Sequence, residues 1–388
     1  MHKMVKIKLG LVLFCFIFGL FTAEAKPEEK PPNVILILAD DMGIGDVGFV
    51  NEGKTHTPAI DQLIKDGVWF EQAFTAAPVC APARASLLTG QYPQRTGCVT
   101  LNMRTYPQLS RMKKELNTLA DAFNANGYVT GLVGKWHCGT GYDYHPLRRG
   151  FQEFEGFHGF NVPSYFDYEL VIQDSVIEVR DKYLTEDLSE RAIRFVRRHA
   201  AEPFFLHLAH YAPHRPLGAP QEVVNKYLEE GFPQKTAVIY AMIEIMDEGI
   251  GELVEELGRL QIRENTVILF ASDNGPDPLP GERFNANLKG TKYMVNEGGI
   301  RVPFVVNWPA QYQSRKEKAV VHFTDVFPTL VDICELNVPF RQKADGKSFA
   351  GLLRGENSEL PETRMWQWNR GVPVYSYNAA IRDRKSVV

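Results

Sequence analysis

The sequence predicts an α/β sandwich around a mainly parallel central sheet, and three observations predict it. Asn33-Val-Ile-Leu-Ile-Leu-Ala39, Phe204 to Ala209 and Thr266-Val-Ile-Leu-Phe-Ala271 are apolar runs of the kind found in strands buried on both faces. Helical segments lie between these runs, and strands alternating with helices build parallel sheets. The chain has 388 residues, 44% hydrophobic and 23% charged, which allows one large core, or one domain plus a smaller lobe. Its 43 Lys and Arg against 47 Asp and Glu give no basic field for tracking nucleic acid, so a DNA or RNA partner is disfavoured.

Each element has a local reason. Thr57-Pro58 followed by Ile60, Leu63 and Ile64 and closed by Gly67 has an N-cap, a proline at the first helical position and a glycine stop, so a helix is expected. Further helices are expected near Thr118 to Asn126, Thr185 to His199, Gln234 to Leu260 and Asp325 to Cys334. Apolar segments at Tyr128 to Gly134 and Val302 to Trp308 complete the strand pattern. No internal repeat or low-complexity tract appears.

Residues 1–25 read as a cleaved signal peptide. Lys3, Lys6 and Lys8 precede the apolar stretch Leu9 to Phe21, and Ala23-Glu24-Ala25 is a small-x-small cleavage site. The stretch is shorter than the ~20 residues that span a bilayer, so no stable membrane anchor is expected. Bulky Phe14 before Cys15 argues against a lipid-attachment site. A secreted or periplasmic protein follows, cleaved after Ala25, with residues 26–32 as a Pro-rich, charged linker. Export permits disulfides, but Cys80, Cys98, Cys138 and Cys334 are too sparse for a disulfide framework and form no C-x-x-C pair.

In open α/β sheets ligands bind beyond the carboxyl ends of strands. Two strand ends carry polar clusters here, Asp40-Asp41 and Ser272-Asp273-Asn274-Gly275. Together they resemble a cage for a hard divalent cation, since Ca2+ and Mg2+ take oxygen ligands; the same residue types also make turns. Gly43-Ile-Gly45-Asp-Val-Gly48 satisfies the dinucleotide fingerprint G-x-G-x-x-G. Asp40, Asp41 and Asp46 speak against that reading, because like charges ~4 Å apart repel by about 4 kcal/mol at an effective dielectric of 20.

The most specific signal is Cys80-Ala-Pro82-Ala-Arg84, followed by Thr89-Gly90. A cysteine at the start of a short helix (Ala83 to Leu88) with Arg84 one turn on is expected to sit in an electropositive site that lowers a thiol pKa. A lone buried thiol is the ordinary alternative. The string does not stand alone: Asp40-Asp41-Met-Gly-Ile-Gly-Asp46, Gly134-Lys135-Trp-His137, Pro213-His214-Arg-Pro216, Ser272-Asp273-Asn274-Gly275 and Lys289-Gly-Thr-Lys292 leading to Glu297-Gly-Gly-Ile-Arg301-Val-Pro303 flank it in order.

With these motifs the chain resembles a formylglycine-dependent sulfatase, of the arylsulfatase type within the alkaline phosphatase-like superfamily, over about Asn33 to Arg384. The resemblance implies an alkaline phosphatase-like sandwich and a sulfuric ester hydrolase. It also implies that Cys80 is oxidised to Cα-formylglycine by a formylglycine-generating maturation enzyme. The commonest family form has Ser before the motif arginine, where this chain has Ala83. The chemistry fits the residues: a sulfate monoester needs a nucleophile at sulfur, charge neutralisation on its oxygens and a proton for the leaving alcohol. An aldehyde hydrate offers one hydroxyl to attack sulfur and a second to expel sulfate.

By the same resemblance Asp40, Asp41, Asp273, Asn274 and the modified Cys80 would hold a cation, Ca2+ in preference to Mg2+. Arg84 and Lys135 would stabilise the formylglycine oxygens, and His137 would promote sulfate elimination. His214 and Lys289 would clamp the sulfate, with Lys135, and protonate the leaving oxygen. Lys292 is left as a surface charge, Asp46 as a loop organiser, and His207 and His210 as structural. Arg104 and Tyr106 are candidates for substrate contact. His145, Arg148, Arg149, His158, Tyr165 and Tyr168 favour packing over sugar stacking. The expected substrate is a small or polymeric sulfated compound, a carbohydrate or aryl sulfate.

Two other readings stay open: a phosphomonoester or phosphonate monoester hydrolase of the same superfamily, and a sulfated-glycan binder whose Cys80 is never matured. Residues 33–335 are expected to form the catalytic domain, and 336–388 a linker and the start of a truncated C-terminal subdomain. The three cysteines other than Cys80 allow at most one disulfide.

Overall fold

The computed structural model describes residues 30–383 except 102, 103, 160, 161, 280 and 282. The expected signal peptide, and all but the end of the linker after it, lie outside the described residues. Twelve strands occur among them: β1 (Asn33–Ala39), β2 (Val68–Phe74), β3 (Val129–Lys135), β4 (Glu153–Phe157), β5 (Tyr168–Ile172), β6 (Ser175–Val179), β7 (Phe204–Ala209), β8 (Thr266–Ser272), β9 (Phe304–Asn307), β10 (Arg315–His322), β11 (Arg364–Gln367) and β12 (Ala379–Arg382). Ten form one sheet in the order β10-β2-β9-β8-β1-β7-β3-β4-β5-β6, and β11 pairs with β12 apart from it.

The predicted mixed α/β fold with a mainly parallel sheet is what forms. β1 lies between β7 and β8, parallel to both, and β3 continues the parallel set between β7 and β4. β9 runs antiparallel to β2 and β8, and β5 and β6 are antiparallel additions at one edge. All seven β1 residues are buried, and alternation splits them between two cores. Val34, Leu36 and Leu38 pack on the side of the Cys80–Thr89 helix, while Ile35, Ile37 and Ala39 face the helices Leu184–His199 and Gln234–Arg259. Each fully buried aliphatic side chain contributes about 1.5–3 kcal/mol, so both faces favour an unbroken apolar strand over an alternating one.

Helix signals translate closely into structure. The segment after Thr57 is helical over Pro58–Asp66 and stops at Gly67, and the long helix spans Gln234–Arg259. Among the described residues no helix is long and apolar enough to cross a membrane.

Register brings the site together. Ala39 of β1 pairs with Ser272 of β8, and Leu38 with Ala209 of β7, so Asp40 and Asp273 emerge side by side at the carboxyl edge. Lys135 ends β3 at the same edge, where Gly134 (φ +103°) lies so close to β7 that an added Cβ would fall 2.0 Å from the Ala209 carbonyl oxygen. Only glycine permits that approach. The glycine-rich loop after β1 has a packing explanation too: an added Cβ on Gly45 would fall 2.4 Å from the Phe284 carbonyl oxygen. Asp46 organises this loop, accepting from Gly43 N (2.7 Å) and Arg283 Nε (2.7 Å).

Candidate active site

Cys80 opens the buried helix Cys80–Thr89, three residues earlier than predicted, with Val79 in an extended conformation before it. Its Sγ lies 3.3 Å from Asp40 Oδ1 and 3.9 Å from Asp41 Oδ1. Arg84, one turn on, is engaged by a carboxylate and a carbonyl: its Nε is 2.8 Å from Asp273 Oδ2, and its Nη1 donates to the Lys135 carbonyl at 3.0 Å. The thiol pKa is therefore raised, not lowered as expected, first by burial and then by Asp273 and Asp40. The carboxylates opposite the thiol outweigh Arg84 and the helix end.

Three carboxylates converge on three cations. Lys135 Nζ bonds Asp40 Oδ2, which Arg84 Nη2 also approaches at 3.4 Å. Lys292 Nζ lies 2.7 Å from Asp41 Oδ2, and Asn274 Nδ2 donates to Asp41 Oδ1 at 2.7 Å. Burial alone would raise the Asp40 carboxyl, yet Lys135, His214 and Arg84 together hold it well below the usual range. Asp273 is pushed up to about 7, chiefly by burial and by Asp40.

The donor set fits a hard cation. Ligand atoms of Asp40, Asp41, Cys80 and His214 lie within 4.8 Å of one another, and Asp273 accompanies them. Asn274 Oδ1 is buried without a hydrogen-bond partner, an orphaned oxygen of the type such an ion takes.

His137 is buried in a left-handed conformation (φ +55°), and burial, Lys135 and Arg84 lower its pKa, favouring the neutral imidazole. His214 is held through Nδ1 against the Arg215 carbonyl (2.6 Å), its Nε2 3.7 Å from Asp41 Oδ2, and burial brings it down to about 4. Tyr165 Oη fixes that segment from behind by donating to the carbonyls of Tyr211 (2.9 Å) and His214 (2.8 Å). Cys80, His137, His214 and Lys292 meet in one cleft of about 810 Å³.

Lys289 does not join them. It is exposed, and the buried lysine of that motif is Lys292. The backbone decides: Lys292 N bonds Pro276 O (3.0 Å) and Tyr293 N bonds Pro78 O (2.9 Å), drawing residues 292–293 inward, whereas Lys289 O accepts from Gly298 N (2.8 Å) with its side chain outside. Arg104 is exposed and, like Tyr106, does not line the cleft; Tyr106 instead packs beside Gly371.

The aromatic stretch packs as framework. Arg149 donates to the carbonyls of Lys113, Lys114 and Leu116, and the His145 and His158 rings lie 4.6 Å apart. His207 Nδ1 sits 3.1 Å from Leu36 O inside the sheet, and His210 is fully buried. Cys98, Cys138 and Cys334 are free and buried. Sequence reasoning missed Lys235, Tyr293 and Arg370, which also line the cleft; none belongs to a motif.

The carboxyl edge of the sheet thus gathers clustered carboxylates, a buried cysteine and converging cations. Residues 32–336 match the family described as Sulfatase. The chain is 32% identical over 381 residues to N-acetylgalactosamine-6-sulfatase of Canis lupus familiaris, covering 90% of this chain and 71% of the relative. It is also 32% identical to N-acetylgalactosamine-6-sulfatase of Homo sapiens, covering 87% and 69% of the two chains. Among solved structures, Ps i-CgsB in complex with k-i-k-neocarrahexaose is similar with a TM-score of 0.83 and 33% identity, covering 91% of this chain and 82% of that one. The chain belongs to the sulfatase family, and it is an enzyme of that family.

Proposed function

We propose that the protein is an exported sulfatase that cleaves sulfate monoesters of a carbohydrate, using a formylglycine made from Cys80 by a maturation enzyme. The observation that carries this reading is the position of Cys80 Sγ, 3.3 Å from Asp40 Oδ1 on the floor of the cleft that also holds His137, His214 and Lys292. Similarity to proteins named N-acetylgalactosamine-6-sulfatase, and to one solved with a neocarrahexaose, supports a saccharide substrate.

Asp40, Asp41, Asp273 and Asn274 would hold a Ca2+ ion together with the modified residue 80. Bound there, the ion would supply Lewis-acid polarisation. The formylglycine hydrate supplies two hydroxyls on one carbon, so that attack on sulfur and later expulsion of sulfate need no external nucleophile. Arg84 orients Asp273 and, with Lys135, carries positive charge against residue 80. His137, buried beside it, would accept the proton of the second hydroxyl. Lys292 and His214 bind the sulfate oxygens, and one of them delivers a proton to the leaving alcohol oxygen. Lys292 takes the part that the sequence assigned to Lys289.

Kinetics with paired aryl sulfate and aryl phosphate substrates test the reading. A higher kcat/KM for the sulfate is expected, and preference for the phosphate overturns it. A chain that binds sulfated glycans while Cys80 stays an unmodified thiol would establish the binder instead.

A further inference from the structure

The cleft extends well beyond the groups that handle one ester. Its volume of about 810 Å³ far exceeds a sulfate group and stands in the upper part of the ~300–1,000 Å³ range of ligand clefts. Its outer wall carries Lys235, Tyr293 and Arg370.

Arg370 lies in the connection between β11 and β12, and that connection is fastened to the catalytic unit. Thr100 Oγ1 donates to the Arg370 carbonyl (3.0 Å), and Asn378 Nδ2 donates to the carbonyls of Trp368 (2.9 Å) and Tyr293 (2.8 Å). The Trp368 and Tyr293 rings are 5.6 Å apart. The exposed Arg370 guanidinium stands 5.2 Å from the Tyr293 ring centre, and Lys292 Nζ stands 5.5 Å from the same centre. One ring thus links the buried lysine on Asp41 to an outer arginine.

Lys235 is the second residue of the helix Gln234–Arg259, whose first turn holds no acidic residue. A cation there opposes the helix dipole, at a cost of about 0.3–1 kcal/mol, so helix stability does not explain it. Among the described residues neither Lys235 nor Arg370 pairs with a carboxylate, and no Asp or Glu lines the cleft. Arg215, the other arginine of the lining, is neutralised by Asp277 at 2.6 Å.

We infer that Arg370 and Lys235 form a second anion subsite, which selects saccharides carrying a further negative charge, a sulfate or a carboxylate, beside the ester being cut. The inference rests on reading the floor of the cleft as the sulfate-ester site. Tyr293, also in the lining, offers its ring to the sugar and holds Arg370 by cation–π contact.

The test uses the matured full chain and three disaccharides, with one sulfate, with two sulfates, and with one sulfate plus a uronate carboxylate. Wild type is expected to prefer at least one dianionic substrate by about tenfold in kcat/KM, mainly through KM, and which one is preferred identifies the second group. Arg370→Gln and Lys235→Gln are each expected to reduce that ratio several-fold, while Arg370→Lys retains most of it. Raised salt is expected to shrink the preference, because exposed charges are screened over ~8 Å at physiological ionic strength. No preference in wild type, or an unchanged ratio in both Gln variants, overturns the subsite. Calorimetry of the same disaccharides on Cys80→Ala protein separates the two readings. Equal affinities overturn the subsite whether or not the enzyme turns over, whereas absence of any hydrolysis by the matured chain refutes the sulfatase reading.

Discussion

Lys292 Nζ lies 2.7 Å from Asp41 Oδ2, both side chains buried, and Lys292 lines the cleft. Breaking such a pair removes a fixed positive charge from the position proposed to bind the sulfate oxygens. Lys292→Ala is expected to lower kcat/KM for an aryl sulfate by about 10²–10³, the size of effect seen when a preorganised electrostatic donor is lost. Lys289→Ala, at an exposed position, is expected to stay within about twofold of wild type. The reverse order of effects would return the role to Lys289.

The cation cage predicts a link between metal and stability. A ligand at 100 times its dissociation constant stabilises the native state by about 2.7 kcal/mol. Chelation is therefore expected to lower Tm, and Ca2+ to restore it more effectively than Mg2+ at equal concentration. In Asp273→Asn, which loses one carboxylate and the charge partner of Arg84, added Ca2+ is expected to raise Tm much less. Scanning calorimetry reads this directly, and a Tm insensitive to chelator and to Ca2+ would count against the site.

Asp247 gives a pH prediction away from the active site. Its carboxylate oxygens accept from Ala59 N (2.8 Å) and Ile60 N (2.7 Å) at the start of the Pro58–Asp66 helix. Burial, with Asp61 and Glu248 nearby, pushes it up to about 7. Between about pH 4 and 7 the unfolded chain releases a proton that the folded chain keeps, so this group's contribution to stability falls as pH rises and levels off above 7. The fall amounts to at most ~4 kcal/mol, at about 1.4 kcal/mol per pH unit. Asp247→Asn is expected to flatten the curve, measured by urea unfolding at about pH 5 and pH 8. An equal slope in variant and wild type would refute it.

Much of the fold was legible because buried strands and capped helices obey local rules. β1, β7 and the long helix after Pro233 were readable almost to the residue, since two buried faces demand an unbroken apolar run and end residues mark helices. β5 and β6 were not: they add to an edge, and β6 exposes most of its residues, leaving no apolar signal. The run Val302 to Trp308 showed a strand but not its antiparallel direction, which pairing alone decides.

The candidate site divides the same way. Asp40, Asp273, Cys80, Arg84, Lys135, His137 and His214 were readable because each stands in a short motif at a strand end or helix start. Lys289 and Lys292 share a residue type and a motif, and only the backbone bonds of 292–293 to Pro276 and Pro78 separate them. Arg370 and Lys235 reach the cleft from segments remote in sequence, so no spacing could announce them.

Covalent maturation of Cys80 is most directly tested by mass spectrometry of the peptide that contains it, from protein made in its native host. The peptide is predicted to be lighter than its sequence by the change from thiol to aldehyde, and to react with a carbonyl-specific hydrazide. Cys80→Ala protein should show neither signal and no sulfate-ester hydrolysis. An unmodified thiol at residue 80 in protein that nonetheless turns over sulfate esters would contradict the assignment of Cys80 as precursor of the nucleophile.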